Sequence, residues 1–484
     1  MRKISSIILF VLFASQSYAD KNVTVFGHDT AYAGVEIVLN KYIEQITNSE
    51  SEIARCIVAK DGSFSLSFPV KDITLVFAYL GIYKVHLFVE PEKSYEIMLP
   101  PREEKEQNDF LNPYFTYTVV YLGTKQYDEN ELNILIRMFN DGYQPYYNKH
   151  ILDITDKKDL SQLDKDNAHI NKTKDFSTLD KDITQIEKPF ASCQNKFFND
   201  YRRYRYGLLR QLALEQKSKS LSDEYFKDKP VLYNNPAYME MFNKVYDKYF
   251  NHFSQGDKGK ELAKNINEKD LKGLQKTLSS DNVLGKGELL NLVILKGLFE
   301  EFYDDNYSRN SMLAVLDSFI AQVKILPLNE LAQSIRNKTT KLLVGFDPPD
   351  FKLYDRDSNI VSLENFKGKY VYLNFCSCYS YTCLNEFVML DNLHQKYKDK
   401  LEIVTIIIDE DVNVLKSYLS RSNYTWKFLY FGHQSSIIKD YDIRAFPTYY
   451  LVDPQGKLVM SPAPSPGEDF EARLFQVMRA RGEI

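Results

Sequence analysis

The sequence predicts a multidomain protein: a small all-β sandwich, then a mainly α-helical domain, then a C-terminal α/β domain. Three observations predict it. Short alternating apolar runs broken by Gly, Asp, Asn and Pro extend from Asn22 to about Pro101. Helical spacing without such punctuation follows from about Pro113 to Thr340, and beyond Lys341 apolar strands alternate with helices. The 484-residue length exceeds one ordinary domain and agrees with this division. The expected segments are 1–19, 20–104, 105–341 and 342–484.

The first segment reads MRKISSIILFVLFASQSYAD. Arg2 and Lys3 precede a short apolar stretch, and Ser17 and Ala19 occupy the −3 and −1 places before Asp20. This predicts a secretory signal peptide cut after Ala19, and hence a secreted, periplasmic protein in which disulfides persist. The apolar stretch is too short for a membrane anchor, and no later stretch predicts a transmembrane span. With 61 basic and 66 acidic residues spread along the chain, net charge is −5, and nothing calls for a nucleic-acid partner.

In the β-rich segment, runs such as VTVFG, GSFSLSFPV and ITLVFAYLG read as strands of a sandwich. Lys60-Asp61-Gly62, between IARCIVA and SFSLSF, reads as a hairpin turn. Cys56 falls in a strand, where a buried, unreactive thiol is expected. In the helical segment, apolar residues recur three and four apart, as in FFNDYRRYRYGLLRQLALEQ. The stripe Tyr238, Phe242, Tyr246, Tyr249, Phe250 could line a ligand groove, but packing between helices is the expected use. Residues 153–175 are charged, lack aromatics and predict an exposed loop or a solvated helix face. The seven histidines are isolated, and no P-loop, dinucleotide fingerprint or HExxH occurs. No metal and no cofactor is therefore expected.

The C-terminal segment offers strands KYVYLNF and LEIVTIII separated by helical patterns, which is the texture of parallel β-α-β units. The run TYYLVDPQGKLVM predicts an antiparallel hairpin at one edge. Three of the chain's five cysteines lie close together in NFCSCYSYTCLNEF, residues 374–387.

Residues 342–484 resemble the thioredoxin superfamily, and within it the envelope thiol-disulfide oxidoreductases of the TlpA/ResA type and related redoxins. The matches run in order: G-x-x-x-PDF-x-L at Gly345–Leu353, then SLENFKGKYVYLNF, then AFPTYYLVDPQG with Pro447 and Thr448. The resemblance implies a thioredoxin-like fold, a role in envelope redox homeostasis and a protein thiol or disulfide partner. It also implies a cis-proline loop, Phe446-Pro447-Thr448, that binds an extended substrate segment beside the active turn.

Thiol-disulfide exchange needs an accessible thiolate at a helix N-terminus and a second thiol one turn on. The family's Cys-x-x-Cys supplies both. Counting from Asn374-Phe375 puts the attacking position at Ser380 and the resolving position at Cys383, so this sequence reads Ser-x-x-Cys. A serine hydroxyl cannot exchange with a disulfide, whereas it is a favoured helix N-cap. Cys376 stands where the family usually carries tryptophan. Cys376 and Cys378 would point the same way along an extended strand with Cβ atoms nearly 7 Å apart, too far for a bridge. A fold-back could join Cys378 to Cys383; otherwise a lone Cys383 faces inward and is inert.

Two readings follow: atypical exchange through Cys378 and Cys383 around Ser380, or a catalytically degenerate module that binds a partner without turnover. Peroxidase chemistry finds no activating Thr/Arg motif near Cys378. Asp409 and Glu410 end a strand where an acid could relay protons, and Asn374 stands where classical thioredoxins carry a buried acid.

Overall fold

The computed structural model describes residues 21–484 apart from 107–108, 110–111, 113–114, 126–127, 164–175, 215–217, 410 and 433–434. The expected signal peptide and Glu410 lie outside the described residues, as does part of 153–175. The chain forms two compact units. One comprises the described part of Met1–Glu104 with Tyr117–Gly297 and Leu326–Leu328; the other holds the rest. No helix among the described residues is long and apolar enough to cross a membrane.

The first unit opens with eight strands: β1 Lys21–His28, β2 Glu36–Tyr42, β3 Glu50–Ile57, β4 Ser63–Val70, β5 Thr74–Leu80, β6 Tyr83–Val89, β7 Ser94–Ile97 and β8 Thr118–Tyr121. They form sheets of order β4-β1-β7 and β3-β2-β5-β6-β8. Alternation in β4 turns Phe64, Leu66, Phe68 and Val70 inward and its serines outward. These side chains share one core with Ile37, Leu39, Val76, Leu87 and others from the second sheet. The Lys60-Asp61-Gly62 turn forms, but β3 and β4 do not pair as the expected hairpin. They belong to different sheets, each pairing elsewhere, β3 with β2 and β4 with β1. The chain changes sheets at this corner. Gly62 has φ +91° there, and a Cβ would lie 2.6 Å from the Thr30 nitrogen.

The helices of this unit include Phe176–Glu187, Lys196–Leu214 and Pro236–Val245. Asn235 caps the last of these by accepting from the Ala237 and Tyr238 N–H groups, with Pro236 in the first turn. Tyr238, Phe242 and Tyr246 are fully buried, with ring centroids 5.1 Å apart between Phe226 and Tyr238 and between Phe242 and Tyr246. That stripe is core packing.

In the second unit a seven-stranded sheet has the order β10-β9-β13-β12-β11-β14-β15. Its strands are β9 Leu353–Asp355, β10 Ile360–Val361, β11 Tyr370–Cys376, β12 Leu401–Ile407, β13 Lys427–Tyr430, β14 Thr448–Val452 and β15 Leu458–Ala463. Strands β11, β12 and β13 are parallel; β14 and β15 add the expected antiparallel hairpin beside β11. All seven residues of β11 are buried, as a central strand covered on both faces requires. Tyr370, Tyr372 and Cys376 face a core built with the helices Tyr381–Tyr397 and Phe470–Ala480. Val371, Leu373 and Phe375 face a second core that includes Ile437 and Tyr441.

Candidate functional site

The site lies at the C-terminal end of β11, where the chain leaves the sheet and enters the helix Tyr381–Tyr397. Ser380 has extended backbone, and its hydroxyl oxygen accepts the Cys383 N–H at 3.4 Å. It is therefore the helix N-cap, and the position that attacks in a dithiol site is occupied by a structural oxygen.

The cysteine pairing differs from the expected fold-back. Cys383 is bridged to Cys376, with Cα atoms 5.9 Å apart, and Cys378 is a free thiol. The reason is the alternation of β11. Cys376 belongs to the same face as Tyr370 and Tyr372, and the first turn of the helix brings Cys383 onto that face. Both bridged residues have 0% exposure. Sequence reasoning missed this pair because it weighed Cys376 only against Cys378 along the strand. The usable signal was the alternation of β11, which puts Cys376 on the same face as Tyr370 and Tyr372, where the following helix packs.

Cys378 lies in the loop that follows. Asp409, after β12, is buried; it accepts the Ser377 hydroxyl and, at 2.6 Å, the Cys378 N–H. The Tyr379 N–H donates to the Ser377 oxygen at 3.1 Å, which completes a tight polar turn. Burial, and next the Asp409 carboxylate that accepts from the thiol, push Cys378 up to about 12. At neutral pH it is a protonated thiol, the wrong form for nucleophilic attack.

Phe446-Pro447-Thr448 borders the same strand. The Phe446-Pro447 bond is cis, and Thr448 is the register partner of Phe375, which brings Pro447 alongside the Cys376 end of β11. The structure thus brings Cys376, Ser380, Cys383 and the Pro447 loop together. Tyr379 and Tyr381, 66% and 78% exposed, flank Ser380.

Two further residues, Glu386 and Tyr449, escaped the sequence reading. Glu386, one turn after Cys383, accepts a hydrogen bond from the Tyr449 hydroxyl of β14. Burial, helped by the Glu468 charge, raises the Glu386 carboxyl above its ordinary range, against the opposing effect of the Tyr449 hydrogen bond. Asn374, the register partner of Tyr449, is fully buried, and its side chain interacts with the Tyr449 hydroxyl.

The AhpC/TSA family profile matches residues 344–461. The thiol-disulfide oxidoreductase ResA of Bacillus cereus is 32% identical over 131 residues, 27% of this chain and 75% of that protein. The chain belongs to the ResA-like family of the thioredoxin superfamily. The thioredoxin-like protein YneN of Bacillus subtilis is 27% identical over 26% of this chain and 75% of its own length. Among solved structures, the thioredoxin domain of a thiol-disulfide oxidoreductase from Bacteroides vulgatus is 26% identical. It covers 28% of this chain and 96% of that one, with a TM-score of 0.26. In this ResA-like domain the only disulfide among the described residues is sealed in the core.

Proposed function

We propose that the protein is a secreted, periplasmic envelope protein whose ResA-like domain, residues 342–484, engages a protein partner without ordinary dithiol turnover. Residues 20–104, read as a sandwich, and 105–341, read as a helical domain, present that domain. The observation that carries the reading is the loss of both reacting groups. Ser380 is spent as a helix cap, and Cys383 is tied to Cys376 with both residues fully buried. An incoming thiolate must approach a sulfur in line, and a sealed bridge offers no approach. The partner is an extended segment that lies along Phe446, Pro447 and Thr448, with Tyr379 and Tyr381 as aromatic contacts at the rim.

A second reading is favoured by the half-buried Glu386 close to the bridge and by the spare Cys378 thiol. Local opening would expose Cys376–Cys383 for slow exchange, with Glu386 as proton source to the departing thiolate and Cys378 as a third thiol. Thiol titration of the mature protein with mass mapping, together with insulin reduction, separates the two. The binding reading expects a Cys376–Cys383 bridge that persists under mild reduction and insulin reduction at background. Reduction of insulin that is lost in Cys383→Ser would replace it with the exchange reading.

A further inference from the structure

In the first unit a cleft of about 520 Å³ opens between the helices Phe176–Glu187 and Lys196–Leu214, within the size range of small-molecule sites. Arg202, Arg203, Arg210, Tyr206, Tyr225 and Glu187 line it. Arg203, Tyr206 and Arg210 stand three and four residues apart, so one face of the second helix supplies the cations and a phenol together.

The negative charge available to these arginines is already committed. One Glu187 oxygen accepts from Arg202 and the other from the Tyr206 hydroxyl, the latter at 2.7 Å. Arg210 pairs with Asp180 at 2.9 Å. Arg203 is exposed, and its guanidinium donates to the Glu224 backbone carbonyl at 3.1 Å rather than to a carboxylate. Arg202 is 5% exposed, held over Phe198 at 4.7 Å, and its Nε has no acceptor. Three guanidiniums therefore meet two carboxylates, Glu187 in the lining and Asp180 beside it, which leaves one positive charge in excess next to aromatic walls.

We propose that this cleft binds a small organic anion, a carboxylate or phosphate group carried on an apolar or aromatic body. Arg203 and Arg210 present planar donors suited to two-point recognition of either headgroup. Tyr206 and Tyr225 give the body a surface to stack on, with the Arg203 guanidinium already 5.6 Å from the Tyr225 ring centre. The cleft lies in the first unit, outside residues 342–484.

Cys193, a half-buried free thiol, also lines the cleft and provides a readout independent of any activity. The full mature chain is labelled with a maleimide, and the Cys193 and Cys56 peptides are quantified by mass with benzoate, phenyl phosphate, inorganic phosphate or neutral benzamide present. Benzoate or phenyl phosphate is expected to slow Cys193 labelling about threefold or more at saturation, with Cys56 unchanged. The stronger of the two identifies the headgroup. Arg203→Gln and, separately, Arg210→Gln should each weaken this protection without lowering the melting temperature. The proposal is overturned if no anion protects Cys193, if benzamide protects equally, if inorganic phosphate matches phenyl phosphate, or if both variants remain protected.

Discussion

Cys376 and Cys378 are two residues apart and live in opposite chemistry. Cys376 ends a strand sealed in an aromatic core and is covalently tied to the helix above it. Cys378 lies at the edge of that core in a polar turn, where burial first and the Asp409 carboxylate second keep its proton on. The difference teaches that crowding of thiols in sequence says little about reactivity. What decides is which of them the strand hands to a bridge in the core and which the loop leaves half-buried beside a charge.

The strongest way to break this contrast is to move the sulfur. Cys376→Ala with Ser380→Cys places a thiol at the helix N-cap and releases Cys383 to pair with it. Insulin reduction should rise on the order of a hundredfold over the wild type, as expected for a thiolate favoured by a helix N-terminus. A folded double variant without any gain would show that the cleft itself has lost exchange competence.

A smaller effect comes from opening the bridge alone. Its ends are seven residues apart, so loss of the cross-link should cost about 2–3 kcal/mol by loop-closure entropy. The only tryptophan of the chain, Trp426, is buried in the same core and reports on it selectively. Urea unfolding followed by Trp426 emission, with and without reductant, should show an earlier transition when reduced. An identical midpoint in both would mean that the bridge contributes nothing to this core.

The Cys378 side of the contrast is sharpened by pH. A thiol raised from 9.0 to about 12 on folding is protonated in both states below pH 9, so its contribution to stability is complete there. That contribution is lost as pH rises toward 12. Between these limits the wild type should lose stability faster than Cys378→Ser, read again by Trp426. Asp409→Asn should move Cys378 alkylation to lower pH without restoring ordinary thiol behaviour, because burial is the larger cause. Alkylation profiles that coincide would remove Asp409 from the account.

The smallest effect belongs to the cap. Ser380→Ala should destabilise the ResA-like domain by about 1 kcal/mol, and Ser380→Gly by a few tenths. Equal midpoints for Ser380→Ala and the wild type would refute the capping role.

Much of the site was legible in the residues. The Asn374-Phe375 frame located Ser380 and Cys383, and the hydroxyl's capping geometry followed from its place before a helix. The cis bond at Pro447 followed from family resemblance. The bridge was not legible, because it joins a strand to a helix that folds back over it, and strand spacing alone speaks only to neighbours on the strand. Glu386 and Tyr449 were missed for the same reason: their hydrogen bond spans 63 residues. The turn at Gly62 was legible as a turn, yet which sheet each flanking strand would join depended on long-range pairing.

The sequence by itself determined the β-α-β texture of the last third, the ResA-like frame and the absence of a thiol at the attacking position. Those properties rest on local periodicity and residue identity. Only the tertiary structure decided that Cys376 is the partner of Cys383, that Cys378 is silenced by burial and by Asp409, and that three arginines share one cleft. Each is set by which faces the packed elements turn toward one another, and burial and charge act through space rather than along the chain.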